Sequence, residues 1–161
     1  MNDEKKVQKA QEAYRANQIQ TASREQLLLI TYDIGINACK AAEEGLRKNE
    51  IETVNESLKR AQAVLRELMV TLDVEAGGEV AQNLLRLYDF MYYRLVDANV
   101  RKDVLLVIAV REMFQELRNT WAEAIEKLKA EELLVKQEEV RTSPVSAGSQ
   151  SGHQGGVNFA G

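Results

Sequence analysis

One pattern constrains this chain before any other. Val54, Leu58, Ala61, Leu65, Leu68 and Leu72 recur at alternating steps of four and three residues. At about 100° of rotation per residue these side chains fall on a single stripe of an α-helix and on no face of a strand. A helix with one apolar stripe must bury it against others like it. The chain carries three more segments of the same kind.

The most informative of them runs from Gly77 to Asn99. Val80, Leu84, Leu87, Met91, Leu95 and Ala98 form its seam. Leu85, Tyr92 and Val96 form a second row about 100° away, with Tyr88 between the two rows and Phe90 and Tyr93 pointing elsewhere. A helix in a small bundle needs only the first row. The surplus apolar surface points to a protein that grips another chain.

Before it, Thr21-Ala22-Ser23-Arg24-Glu25-Gln26 reads as a helix start, with Ser23 as N-cap and Gln26 completing a capping box. The seam that follows is Leu27, Ile30, Ile34, Ala38, Ala41 and Gly45. Asn49 followed by Glu52 reads as the cap of the next helix, and Gly77-Gly78 as a turn. Asp103 reads as the cap of the last helix, which opens with seven apolar residues, Val104 to Val110. Four of these are β-branched, so a buried strand is the rival reading. The uninterrupted sequel Val107, Val110, Phe114, Leu117, Trp121, Ala124 and Leu128 decides for a helix. Two turns that are apolar all round exceed what one seam can bury, which makes Leu105, Leu106 and Ala109 candidates for a second binding surface.

The expected fold class is all-α: an antiparallel up-and-down four-helix bundle with an N-terminal arm or short helix and a disordered C-terminal tail. The arm takes residues 1–20 and covers the bundle, residues 21–139 form the bundle, and residues 140–161 form the tail. The four helices span about 24–48, 50–72, 79–98 and 104–136. A single proline and an abundance of Ala, Leu, Glu, Gln, Arg and Lys agree with this. The tail turns to Ser, Gly and Gln and lacks the apolar content to fold.

The net charge of -4 argues against nucleic acid as a partner. No apolar run reaches the roughly 18 residues needed to insert in a membrane, and Met1 to Lys6 lacks the apolar core of a signal peptide. The lone Cys39 cannot form an internal disulfide, which suits a reducing cytoplasm. Catalytic chemistry is hard to place. The sole histidine, His153, lies in the tail, so no Glu-x-x-His metal pair or His-activated nucleophile can form on the core. No metal or cofactor is expected, and no enzyme. Cys39 reads as a small core residue, Phe114 and Trp121 as core aromatics, and Tyr32 and Tyr88 as half-buried tyrosines with wet hydroxyls.

Three blocks of residues in order resemble a known family, the flagellin-specific export chaperones (FliS). The first holds Tyr14, Gln18 to Ser23, Gln26-Leu27-Leu28 and Tyr32-Asp33. The second runs from Glu75 through Gly77-Gly78 and Leu87-Tyr88-Asp89-Phe90-Met91-Tyr92 to Ala98-Asn99. The third is Leu117-Arg118-Asn119-Thr120-Trp121. The chain departs from the family's pattern at Arg24, where Pro is usual, at Gly35, displaced by one position, and at Ala76, where an aromatic is common.

This resemblance implies a cytoplasmic four-helix bundle that binds the C-terminal segment of flagellin, prevents premature polymerisation and assists delivery to the flagellar type III export apparatus. A component of the export gate is then a further partner. It also implies an N-terminal gate, here Tyr14 and Ile19, lying over part of the groove until the client displaces it. The client groove falls to Leu85, Tyr92 and Val96, with Leu105, Leu106 and Ala109 as its second part. A monomer or weak homodimer is expected. The competing reading is a homodimerising helical adaptor whose extra apolar rows meet a second copy.

Overall fold

The computed structural model describes residues 2–144. Within them the chain is entirely helical. Five helices follow one another: α1 (Asn2–Thr21), α2 (Arg24–Arg47), α3 (Ile51–Thr71), α4 (Val74–Arg101) and α5 (Val104–Thr142). They fall into two compact units, one up to Glu126 and one from Lys127 onward. The predicted tail lies almost wholly outside the described residues.

Local chemistry sets most helix ends. Ser23 and Gln26 form the predicted capping box, the Gln26 N–H donating to Ser23 Oγ at 3.2 Å and the Ser23 N–H to Gln26 Oε1 at 3.2 Å. Asp103 accepts from the Leu105 N–H at 2.9 Å. The expected cap at Asn49 is corrected. Asn49 adopts a left-handed φ of 58° and terminates α2 instead, with the Glu50 N–H bonding Gly45 O at 2.8 Å and the Asn49 N–H bonding Leu46 O at 3.2 Å. Asparagine tolerates this conformation, and the two bonds satisfy carbonyls that the helix end leaves open.

The glycine turn is also different from expectation. Asp73 caps a first helical turn by accepting from the Ala76 N–H at 3.0 Å, and the chain kinks at Gly78 (φ 55°, ψ −133°) before the helix resumes. Only glycine takes up such a backbone at little cost. Val80, just past the kink, is exposed, and Ala81 takes the core position assigned to it. α5 runs on past the expected end near residue 136 to Thr142.

The arm is a helix throughout. Most of its 20 residues are good helix formers, and Asp3 and Glu4 sit at its positive end. That length exceeds the ~12–15 residues below which an isolated helix is marginal.

α2, α3, α4 and the first part of α5 share one core. The α3 stripe enters it as expected: Val54, Leu58, Ala61, Leu65 and Leu68 are buried and Leu72 packs against them. On α2 the buried stripe is rotated from the expected one. Ile34 is exposed, whereas Tyr32, Gly35, Ile36 and Cys39 are inside. Phe114 of α5 explains the rotation. A Cβ on Gly35 would stand 2.8 Å from Phe114 Cζ, so the ring needs a glycine beneath it. The Phe114 ring also packs edge-on against Tyr32, centroids 6.5 Å apart.

Tyr32 and Tyr88 are corrected from half-buried to fully enclosed. Their hydroxyls bond each other, and the Trp121 Nε1–H donates to Tyr32 Oη at 3.0 Å. One polar network therefore joins α2, α4 and α5 inside the apolar core, where an unpaired hydroxyl would be costly. On the surface, Arg111 is bidentate to Glu43 at 2.7 and 3.1 Å, and Arg118 pairs with Asp33 at 2.7 Å. Both pairs tie α5 to α2.

Burial pushes the hydroxyl pKa of Tyr32 and of Tyr88 above the ordinary value, and for Tyr32 the bond to Tyr88 adds to the effect. An acid whose folded pKa is raised keeps its proton longer folded than unfolded, so the stability it contributes is intact below the unfolded value near 10 and is lost above it. Urea unfolding at rising pH should therefore lose up to about 1.4 kcal/mol per pH unit per tyrosine above pH ~10. Tyr88→Phe should roughly halve that slope, at a cost of about 1 kcal/mol at neutral pH because Tyr32 loses a partner.

Candidate client-binding surface

Leu85, Tyr92 and Val96 do share one side of α4. They form a half-buried shoulder beside the buried stripe of Ala81, Tyr88, Met91 and Leu95. Their angular offset from the seam places them there: close enough to lean on the core and too far round to enter it. The shoulder is bounded by α3. The Arg66 Nη2–H donates to Tyr92 Oη at 2.6 Å, and its guanidinium lies 5.3 Å from the centre of the Tyr92 ring. The Tyr93 ring meets Tyr92 edge-on at 5.8 Å.

The second part of the expected groove divides. Leu105 is 71% exposed, and Ala109 shares the outward side of α5 with it. Leu106 is half-buried and packs against the core cluster, as Tyr92 does on α4. Residues 105 and 106 lie about 100° apart on the helix, so one leaves the core when the other faces it. The surplus of the Val104–Val110 run is thus real and remains uncovered at Leu105 among the described residues.

The N-terminal pair is not brought to the α4 shoulder. α1 carries no buried residue, and Tyr14 is 69% exposed. Ile19 lines a cleft of about 350 Å³ with Ile30 and Ile34 of α2 and Arg60 of α3. The expectation that the arm covers the surplus row of α4 is therefore corrected. The face it adjoins is the apolar side of α2 that the rotated α2 stripe leaves out of the core.

Sequence reasoning overlooked two features. Arg66 completes the α4 shoulder from another helix, and nothing local in the sequence links it to Tyr92. A wide cleft of about 830 Å³ is lined by Leu46, Ile51 and Val104 together with Lys40, Glu43 and Arg111. Glu43 and Arg111 in it are already engaged with each other.

Among the described residues no cluster of His, Cys, Asp and Glu could hold a metal ion. Cys39 is fully enclosed, and burial, with Glu43 nearby, pushes its thiol up to about 12. A thiol in that state is neither nucleophile nor ligand at neutral pH. No described helix is long and apolar enough to cross a membrane.

With that geometry in view, comparison with known proteins decides the family. The family model described as "Flagellar protein FliS" matches residues 7–128. The chain belongs to the FliS family. It is 30% identical over 120 residues to the flagellar secretion chaperone FliS of Bacillus subtilis (strain 168), covering 74% of this chain and 89% of that one. It is 32% identical over 108 residues to the flagellar secretion chaperone FliS of Escherichia coli (strain K12), covering 66% and 79%. A solved structure described as a flagellar chaperone from bacteria shares the fold, with a TM-score of 0.61 at 21% identity over 75% of this chain and 98% of that one. FliS is a family of chaperones, not of enzymes.

The burial of Cys39 has a direct test. A thiol-alkylating reagent at mildly alkaline pH should leave the native chain unlabelled and label it fully in urea. Rapid labelling of the native chain would contradict the enclosed site.

Proposed function

We propose that this chain is a flagellar export chaperone that holds the C-terminal segment of flagellin in the cytoplasm, keeps it from polymerising and assists its delivery to the type III export apparatus. The observation that carries this reading is the half-buried apolar shoulder of Leu85, Tyr92 and Val96, left over after the core is complete, in a member of the FliS family. The chemistry fits. An amphipathic segment that is disordered alone can lay its apolar face on such a surface, with coupled folding moderating the affinity. Release at an export gate component then remains possible.

We infer also that α2 to α5 form an antiparallel up-and-down bundle. The opposed order of the cross-helix bonds supports it: Asp33 and Glu43 of α2 pair with Arg118 and Arg111 of α5, and Asn55 and Arg66 of α3 with Lys102 and Tyr92 of α4. In this reading Leu105 and Ala109 extend the client surface. α1 serves as a gate over Ile30 and Ile34 of α2, with Ile19 as its apolar contact and Tyr14 at its outer end.

Tyr92→Glu combined with Val96→Glu should abolish co-purification with flagellin while cooperative unfolding is preserved, because a carboxylate in place of the phenol can still pair with Arg66. Binding that survives the double change places the client elsewhere. Deleting residues 1–20, which removes Ile19, should raise the fluorescence of an extrinsic hydrophobic dye by uncovering Ile30 and Ile34, and lower the helical circular dichroism by no more than the share of α1. No rise in dye fluorescence would refute the gate.

A further inference from the structure

The ion pairs of this molecule are unevenly distributed. Among the described residues every one lies within α2 and its C-terminal turn or between α2 and α5. The edge between α3 and α4 has cations of a different kind. Arg66 is held by the neutral Tyr92 hydroxyl, and the Lys102 ammonium by the side-chain carbonyls of Asn55 and Asn99. Each cation is fixed in place, and neither has a carboxylate partner among the described residues. Lys102 is set there by the backbone: it takes a left-handed φ of 52° where α4 ends, and the Asp103 N–H closes the turn on Ala98 O at 3.2 Å.

These two cations bracket the Tyr92–Val96 part of the apolar shoulder. Arg66 stands over Tyr92, and Lys102 is bound to Asn99, seven residues further along α4. Seven residues are two helical turns, about 10 Å along the axis. The edge is therefore a half-buried apolar row with one positioned positive charge beside its middle, at Tyr92, and a second past its C-terminal end, beyond Val96. A guanidinium with one donor engaged and an ammonium held by neutral amides both keep donors free for a carboxylate.

We propose that the α3–α4 edge selects a client helix bearing carboxylates about two turns apart along the border of its apolar face, with Arg66 and Lys102 as the residues that set its register. This rests on the client-binding reading above and adds the chemistry of the client. The apolar row supplies most of the contact. The two charges steer the encounter and penalise a client that slides by one turn, since a slipped carboxylate meets no cation.

The test uses the full chain and the C-terminal segment of flagellin, with binding followed by calorimetry. Wild-type affinity should fall several-fold as sodium chloride rises from about 0.05 to about 0.5 M, because the cations lie at the rim. Arg66→Gln, which keeps a donor for Tyr92 Oη without the charge, and Lys102→Gln should each weaken binding about five-fold at low salt and flatten the salt dependence. A flagellin segment with its Asp and Glu changed to Asn and Gln should bind the wild type weakly and the two variants no more weakly still. Wild-type binding that is insensitive to salt, or variants that bind as the wild type does, would overturn the selective edge and leave the chaperone reading standing. A wild-type chain that does not bind the segment at all overturns both.

Discussion

The hydroxyl of Tyr32 is the point on which this structure turns. It sits in an apolar core, bonded to the Tyr88 hydroxyl and receiving the Trp121 indole N–H, while its ring takes the edge of Phe114. Each of those partners comes from a helix other than α2. A buried hydroxyl without a partner costs more than a made bond contributes, so the three helices must meet in one register for the core to close. Apolar side chains alone would tolerate a slide or a rotation, because hydrophobic contact is not directional. The tyrosine pair and the indole remove that freedom.

That same register decides what remains for function. With Tyr32, Gly35 and Cys39 turned inward, Ile30 and Ile34 move to the outer side of α2, where α1 adjoins them. With Tyr88 turned inward, Leu85, Tyr92 and Val96 become a half-buried shoulder, tied to α3 through Tyr92 and Arg66. The molecule thus has two apolar margins of different character, one with a helix beside it and one rimmed by fixed cations. The ion pairs of Arg111 and Arg118 hold the α2–α5 side together, whereas Arg66 and Lys102 on the α3–α4 side are held by neutral partners. Individually such surface pairs contribute little to stability, and their value lies in orientation.

Several elements are legible from the chain alone, and the reasons differ. The α3 stripe is unambiguous because its leucines all fall on one face, with Val70 the exposed exception among its large apolar residues near the C-terminal end. The Ser23–Gln26 capping box is local chemistry within four residues, so it needs no tertiary context. The α2 stripe is misjudged from sequence because Leu27, Leu28, Leu29 and Ile30 offer apolar residues on every side, and a period cannot be phased where there is no polar face. The second row on α4 is visible as surplus because it lies a quarter-turn or more from the seam. Its expected cover is not, since α1 lies beside α2, and nothing in a stretch with no strong apolar stripe says which neighbour it will meet.

What the sequence by itself determined is the set of helices, many of their ends and the excess of apolar surface over what one seam needs. These depend on the rotation per residue and on bonds between near neighbours, both of which are fixed within a turn or two. The tertiary structure alone decided which apolar row goes inside, that two tyrosines are buried as a hydrogen-bonded pair, and that Arg66 stands over Tyr92. Those outcomes depend on which side chain arrives opposite from 26 to 89 residues away. Packing at that distance along the chain is settled by shape and by partners for polar atoms, and neither is written in the local period.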